Sequence, residues 1–253
     1  MSERVRKVVV VTGGSQGIGA GLVAGYRRQG WAVVATSRTI VPASDADLLT
    51  IDGDISDPAT ADRVVEGALE RFGRIDTLVN NAGVYVAKPF TDYTAADYAR
   101  AVGVNLAGFF WLTQRVITAM LERRSGHVVN VSATLADFAD SQTPAVLTAL
   151  TKGGLASATR SLAIEYAAHG IRVNAVSPGV IQTPEHAPES YDSLAALHPW
   201  DGSARSATSS TASSTWSRPR SSPDRSCTST AARARAAEDT VGGLSTTRAS
   251  YLG

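Results

Sequence analysis

A glycine-rich turn near the start of the chain has the residue types needed to hold a phosphate. The apolar residues 8–11 are followed by TGGSQGIG, which places Gly13, Gly17 and Gly19 just before a helical pattern. Glycines let the backbone turn tightly and approach a pyrophosphate, and the helix start offers free N–H groups and a positive dipole end. With a strand before it and a helix after it, this turn is predicted to bind a dinucleotide.

The end of the second predicted strand bears on which nucleotide is bound. The run WAVVATSR ends in Ser37 and Arg38. An acidic residue there would hold the ribose hydroxyls of NAD, whereas a guanidinium can pair with a ribose phosphate. The sequence therefore predicts NADP as the cofactor, with NAD as the alternative, although Gln16 adds no second positive charge.

Alternating strands and helices must position these residues. Short apolar runs predict strands over residues 8–11, 32–35, 78–79, 127–131 and 171–176, with a further strand ending before Asp54. Longer amphipathic runs predict helices over residues 17–29, 58–72, 95–122 and 148–169. This alternation predicts an α/β fold, with a doubly wound parallel sheet and helices on both faces.

Composition excludes several other classes of protein. The 253 residues carry a formal net charge of +1, which gives no electrostatic footprint for nucleic acid or an acidic membrane surface. Cys227 is the only cysteine, so neither an internal disulfide nor a metal site is predicted. The most apolar stretch, residues 102–121, is interrupted by Asn105, Gln114 and Arg115. With no secretory segment at the start of the sequence, a cytoplasmic protein is predicted.

Five motifs in order resemble the short-chain dehydrogenase/reductase family. They are the glycine turn after Thr12, NNAG at residues 80–83, VNLAG around Asn105, Lys152 in a helix, and SPGVIQTP at residues 177–184. The resemblance covers residues 5 to about 199. It implies a Rossmann fold, a nicotinamide cofactor, hydride transfer at a small carbonyl or alcohol substrate, and a homodimer or homotetramer built through the long helices.

The resemblance also implies a set of cofactor contacts. They fall in the glycine turn, after the second and third strands, in NNAG, on the lysine helix and in the loop on the nicotinamide side: Gly13, Ser15, Gln16, Gly17, Ile18, Gly19, Ser37, Arg38, Asp54, Ile55, Asn81, Ala82, Gly83, Lys152, Pro178, Gly179, Ile181 and Thr183.

The proton-transfer site departs from the family pattern. The family places a tyrosine four residues before the lysine, where the lysine charge lowers the phenol pKa, and this chain has Thr148 there. Asn105 and Lys152 match the other catalytic positions. The family serine falls at Ala133 or nearer Leu135, depending on the motif used for counting, which leaves Ser132 and Thr134 as the available hydroxyls. The predicted catalytic set is Asn105, Ser132, Thr148 and Lys152.

Three explanations for the missing phenol stay open. In the first, another phenol, Tyr85 or Tyr191, takes its part. Ordered water held by Lys152 and Asn105 is the second source of a proton. In the third explanation the protein is an NADP-binding sensor or pseudoenzyme with little turnover. The substrate itself is not named by the sequence, because the predicted lid around residues 184–199 would set it.

The residues after Trp200 have a different character. Residues 201–236 hold 11 Ser, 5 Thr, 7 Ala and 6 Arg, with no Val, Ile, Leu, Met or Phe. Such a segment has little to bury, so residues 1–199 are predicted as the cofactor-binding domain and residues 200–253 as an irregular, poorly packed tail. Read one base out of frame, the codons of residues 222–232 permit VTGQILHVDGG, which resembles the family's last strand. A frameshift near Trp200 is predicted, with a disordered tail as the alternative.

Overall fold

Six parallel strands form the central sheet of the protein. The computed structural model describes residues 6–43, 45–136, 143–179, 181–182 and 204–205, with residues 182, 204 and 205 described by their backbone alone. The strands are β1 (Val8–Thr12), β2 (Ala32–Ser37), β3 (Leu48–Asp52), β4 (Thr77–Asn80), β5 (Gly126–Val131) and β6 (Ile171–Val176). Their order across the sheet is β3-β2-β1-β4-β5-β6, which confirms the predicted Rossmann-like architecture.

The strand order reverses beside β1, and this reversal places the site. Residues 8–12 of β1 pair with β2 on one side, and residues 9–11 pair with β4 on the other. The connection after β1 therefore leads to β2 on one side, whereas the connection after β4 leads to β5 on the other, which leaves a crevice at the carboxyl ends of β1 and β4. Ligands of open α/β sheets bind in such a crevice.

Five α-helices pack on this sheet in the described part of the chain. They are α1 (Gly17–Arg28), α2 (Pro58–Phe72), α3 (Ala95–Val102), α4 (Gly108–Arg123) and α5 (Val146–Tyr166). One apolar core joins α2 and α4 to alternate strand residues, such as Val10 and Leu78. A second core joins α1 to the opposite face through residues such as Val11 and Val79. Helices thus cover both faces, as predicted.

Two helix predictions need correction. The single helix predicted over residues 95–122 is divided into α3 and α4 by a π-helical turn, Gly103–Ala107. A π-helical turn contains one residue more than an α-helical turn and often lies at functional sites. Asn105 lies within this turn. The helix predicted to start at Thr148 begins two residues earlier, and residues 167–169 form a 3₁₀ turn.

A separate two-stranded sheet pairs β7 (Ile181–Gln182) with β8 (Ala204–Arg205). The predictions of a frameshift near Trp200 and of an irregular tail over residues 200–253 lie outside the described residues, apart from residues 204–205. The boundary between the predicted domain and tail likewise stays a prediction.

Candidate active site at the carboxyl edge of the sheet

The glycine turn between β1 and α1 has a backbone that only glycine allows. Gly13 has φ 66° and Gly17 has φ 54°, values that L side chains rarely adopt. A Cβ on Gly19 would collide with the Gly13 carbonyl. Gln16 precedes α1 without making a side-chain cap, and the first turn of α1 holds no acidic residue. The turn is therefore a cradle with free N–H groups, which fits a phosphate group.

Two side chains fasten this turn to the end of β4. The Thr12 hydroxyl accepts hydrogen bonds from the backbone N–H groups of Asn81 (3.0 Å) and Ala82 (2.9 Å). The Asn81 amide donates to the carbonyls of Thr12 (2.9 Å) and Gly13 (3.3 Å). The Asn81 side chain is thus used to shape the turn. No role was predicted for Thr12, although it stands directly before the first glycine of the turn.

Ser37 is the last residue of β2 and Arg38 follows it, at the carboxyl edge of the sheet and beside Asp54. Arg38 is exposed. The pKa of the Asp54 carboxyl lies below its usual range, first because the Ser56 N–H donates to it, and further because the positive charge of Arg38 is close. Ile55 is buried next to them. The structure therefore brings together the four residues predicted on the adenosine side, with one exposed cation among them.

Lys152 lies under the opposite end of the crevice. Its side chain is only 7% exposed, and its Nζ donates to the Val131 carbonyl at 2.7 Å. A Cβ on Gly83 would lie 3.0 Å from that Nζ, so the amine lies directly behind NNAG. Burial lowers the pKa of Lys152 to about 8. An amine with such a pKa exchanges protons near neutral pH.

Asn105 links three segments around the lysine. Its Oδ1 accepts from the Val84 N–H at 2.8 Å, and its Nδ2 donates to the Val84 carbonyl and the Thr151 hydroxyl, both at 3.0 Å. Each polar atom of this side chain therefore has a protein partner. The π-helical turn brings the amide within reach of the loop after β4 and of α5.

The two predicted hydroxyls lie near Lys152 in different surroundings. Thr148 is 3% exposed, and its hydroxyl has no hydrogen-bond partner among the described residues. The Ser132 hydroxyl donates instead to the Lys152 carbonyl at 3.4 Å, and its N–H donates to Val176. Ser132 therefore contacts the helix backbone, while Thr148 keeps its hydrogen-bonding capacity for another group.

The remaining predicted residues follow β6 or β4. Pro178 and Gly179 are half-buried after β6, and Ile181 is buried at the start of β7. Thr183, Tyr191 and the predicted lid lie outside the described residues. Tyr85 is exposed just beyond NNAG.

A comparison with known protein families identifies the family of this chain. The sequence model of the family described as "short chain dehydrogenase" matches residues 7–193. The chain belongs to the short-chain dehydrogenase family. Oxidoreductase UcpA of Escherichia coli (strain K12) is 35% identical over 193 residues, which are 73% of each chain. The chain is accordingly an oxidoreductase of the short-chain dehydrogenase type.

Solved structures agree with this assignment. A 3-ketoacyl-(acyl-carrier-protein) reductase from Brucella melitensis, complexed with NADH, superposes with a TM-score of 0.78 at 29% identity. It covers 84% of this short-chain dehydrogenase and 91% of its own chain. A variant of actinorhodin polyketide ketoreductase with NADPH has the same TM-score at 25% identity, with coverages of 87% and 93%. In the described part of the chain, no helix is long and apolar enough to cross a membrane.

Proposed function

We propose that this short-chain dehydrogenase transfers a hydride between NADP and a small carbonyl or alcohol compound. The observation that carries the proposal is the placement of a glycine cradle and a buried lysine along one crevice at the reversal of strand order. A binding site with an ionisable group of perturbed pKa in such a crevice is a strong candidate for an active site.

The residues of the crevice fit a dinucleotide from end to end. The cradle formed by Gly13, Gly17 and Gly19 would hold the pyrophosphate, because a Cβ at Gly19 would fill it. Lys152 would hold the ribose on the nicotinamide side. The predicted contacts of Ile18, Ser15 and Gln16 lie in the same turn, and those of Pro178, Gly179 and Ile181 follow β6, while the predicted contact of Thr183 lies outside the described residues. When bound, the dinucleotide supplies or accepts the hydride.

Arg38 supports NADP over NAD. Its guanidinium is an exposed cation at the end of β2, where a ribose phosphate would pair with it. The two structural relatives were solved with NADPH and NADH respectively, so the relatives themselves leave the choice open. Replacing Arg38 by Gln should weaken NADPH binding about tenfold or more and leave NADH binding within about twofold. Equal losses for both nucleotides would remove the preference for NADP.

Lys152 is the described group best suited to manage the proton that accompanies the hydride. The Thr148 hydroxyl is too weak an acid to replace a phenol, and the amide of Asn105 is already engaged. The buried Lys152 amine has a pKa lowered to about 8, so it can give a proton to an ordered water or a substrate oxygen near neutral pH. Tyr85 and Tyr191 remain the alternative donors.

The test of the function is turnover of a carbonyl panel by the purified protein with NADPH. Activity that disappears in Lys152→Ala while NADPH still binds supports the enzyme. If the rate of NADPH oxidation does not exceed the rate without protein for any of the aldehydes, ketones and 3-oxo esters tested, the proposal is contradicted.

One observation favours a second function, a cofactor-binding sensor with little turnover. The family's phenol position holds Thr148, whose buried hydroxyl has no partner among the described residues. Replacing Thr148 by Tyr decides between the two. A rise of about a hundredfold or more in turnover would show that the native chain lacks only its acid, as a sensor would. No rise, with an active native chain, supports the enzyme.

We also propose that the chain forms a homodimer or homotetramer through α4 and α5. Leu150 is 56% exposed and Ile164 is 82% exposed on the outer side of α5, and Phe110 is exposed on α4. Buried in a contact between copies, such side chains would be stabilising. Light scattering should give a multiple of 26.4 kDa for the native chain and a smaller species for Ile164→Lys. The matched control is Val41→Lys, which places the same charge at another exposed β-branched side chain, away from α5. A cytoplasmic location stays a prediction of the sequence.

A further inference from the structure

Four buried polar side chains form a chain of hydrogen bonds beneath the site. The Asn80 amide donates to the Thr113 hydroxyl and to Asn130 Oδ1, both at 2.9 Å. The Asn130 amide then donates to the Thr159 hydroxyl at 2.8 Å, and that hydroxyl donates to the Leu155 carbonyl at 2.8 Å. None of the four side chains is more than 6% exposed. The chain runs from α4 through β4 and β5 to α5.

Neither the predicted site nor the apolar cores account for this chain. Its hydrogen bonds end at the Leu155 carbonyl and include neither the glycine cradle nor the Lys152 amine. Burying polar groups is unfavourable unless each finds a partner of good geometry, so the arrangement costs more than apolar side chains of similar size would cost at these positions. The hydrogen bonds restrict the relative positions of the helices and strands that they join, because they are strong only over a narrow range of distance and angle.

The helix at the end of this chain carries Lys152. Thr159 follows Lys152 by seven residues, which is two turns and about 10 Å along the same face of α5. Three consecutive residues at the end of β5 and directly after it hold that face: Asn130 bonds Thr159, the Val131 carbonyl accepts from Lys152 Nζ, and Ser132 bonds the Lys152 carbonyl.

The two halves of α5 are attached to the sheet in different ways. Its C-terminal half packs partly buried apolar side chains, such as Leu162 and Tyr166, against the core. In the N-terminal half three of the five buried side chains are polar, namely Thr148, Thr151 and Lys152, and the other two are Leu147 and Leu155. Apolar packing alone therefore does not fix how far the Lys152 end of the helix lies from β5. The Asn130–Thr159 bond lies at the junction of the two halves.

We propose that Asn130, held by Asn80 and bonded to Thr159, is a positioning residue that sets the depth of Lys152 in the crevice. The inference rests on the proposed function only in taking Lys152 as a group of the reactive crevice. Without the bond, the N-terminal half of α5 moves away from β5, and water reaches the lysine amine. Its contact with Val131 and its approach to Gly83 are then lost together.

The test compares Thr159→Val with Thr113→Val. Each replaces one buried hydroxyl at an end of the same chain by a methyl of similar size, and each leaves one asparagine N–H without its partner. Only Thr159 lies on α5. The two variants should lose similar amounts of thermal stability, so a general structural effect would move both equally.

The readout is the titration of Lys152 itself. The sequence has three lysines, Lys7, Lys88 and Lys152, so ¹³C NMR of protein labelled at lysine Cε gives three signals, and Lys152→Arg identifies the third. Because burial alone lowers this pKa, hydration of the amine must raise it. We expect a rise of about one unit or more in Thr159→Val, and NADPH affinity about tenfold weaker. We expect Thr113→Val to change neither by more than the measurement error.

Thr159→Ser keeps the hydroxyl and should restore the native titration. If Thr159→Val does not fold, Thr159→Ala removes the same hydroxyl without a second methyl and is measured in its place. An unchanged Lys152 titration in the variant that lacks the hydroxyl, or an equal shift in Thr113→Val, overturns the proposal. If the native chain binds no nicotinamide dinucleotide, the proposed function fails, while the lysine titration still decides the positioning.

Discussion

The helices α2 and α5 pack on the same face of the sheet, yet they are built in opposite ways. Helix α2 begins with Asp57, which accepts from the Ala59 N–H at 2.9 Å, and ends at Gly73 with φ 71°. Its buried side chains are apolar apart from Thr60. Helix α5 has no side-chain cap, and most of its buried side chains are polar. Its exposed side carries Val146, Leu150 and Ile164.

The difference separates what stabilises this fold from what it does. Burial of an apolar face and good caps make α2 a source of stability. In α5 the inward polar face contributes less to stability than valines or leucines would, and it places an amine and a hydroxyl at the crevice. Natural proteins depart from the ordinary pattern of apolar inside and polar outside mainly at functional sites. The outward apolar side of α5 fits the proposed contact between copies.

The largest expected effect comes from replacing Lys152 by Met. Loss of a proton-transferring group should lower kcat/KM by at least about a hundredfold. The free energy of unfolding should stay the same or rise, by up to roughly 3 kcal/mol at neutral pH, because the depressed pKa of Lys152 measures the cost of burying its charge. Steady-state kinetics and urea unfolding measure the two quantities. A strongly destabilised variant would mean that α5 depends on this side chain for stability, as α2 depends on its valines.

Acidification should lower the free energy of unfolding through His127 in β5, the strand that holds α5. His127 in β5 is buried, its Nε2 lies 2.9 Å from Asn174 Oδ1, and its Nδ1 has no partner among the described residues. Burial, helped by the charge of Arg172, lowers the pKa of His127 from 6.5 to about 4. Between these values the unfolded chain binds more protons than the folded chain. Stability should therefore fall as the pH drops from 6.5 to 4, by up to about 3 kcal/mol.

Urea unfolding at a series of pH values measures this slope in the native chain and in His127→Gln. The glutamine variant has no group that titrates there, so its stability should vary less across the same window. Equal slopes in the two proteins would show that other groups cause the acid sensitivity.

Replacing Val64 by Ala tests the α2 side of the comparison. Val64 is fully buried against the sheet, so the variant should lose about 2 kcal/mol of unfolding free energy. Because Val64 lies away from the crevice, NADPH affinity and kcat/KM should stay within about twofold at a temperature where the variant is folded. A loss of cofactor affinity together with stability would mean that the two helices do not divide their roles as described.

The same contrast explains how much of the structure the sequence could predict. The predicted bounds of α2 agree with the structure because Asp57 and Gly73 are visible boundaries. Helix α5 begins at Val146 after Ala145, which is no capping residue, so its start was misplaced by two residues. The π-helical turn at Asn105 depends on contacts with Val84 and Thr151, far away in the chain, and no local pattern predicts it.

Within the site, the sequence located groups but not their partners. The motif spacing brought Lys152 and Asn105 into one region, and the structure places them around Gly83. Thr12 and Thr159 were missed as positioning groups, since their partners are 69 and 29 residues away. A spacing of seven residues from Lys152 was the one available hint for Thr159, because it places both side chains on one helical face.

The smallest effect is expected from the cap of α2. Asp57→Ala removes the acceptor for the Ala59 N–H and should lower the free energy of unfolding by about 1 kcal/mol, or the melting temperature by about 2–4 °C. Asp57→Asn is the matched control, because asparagine caps a helix nearly as well as aspartate, and it should change stability by only a few tenths of a kcal/mol. Both variants should bind NADPH as the native chain does. If the alanine variant unfolds at the native temperature, the ends of α2 contribute nothing measurable, and the stability of α2 comes from its buried face alone.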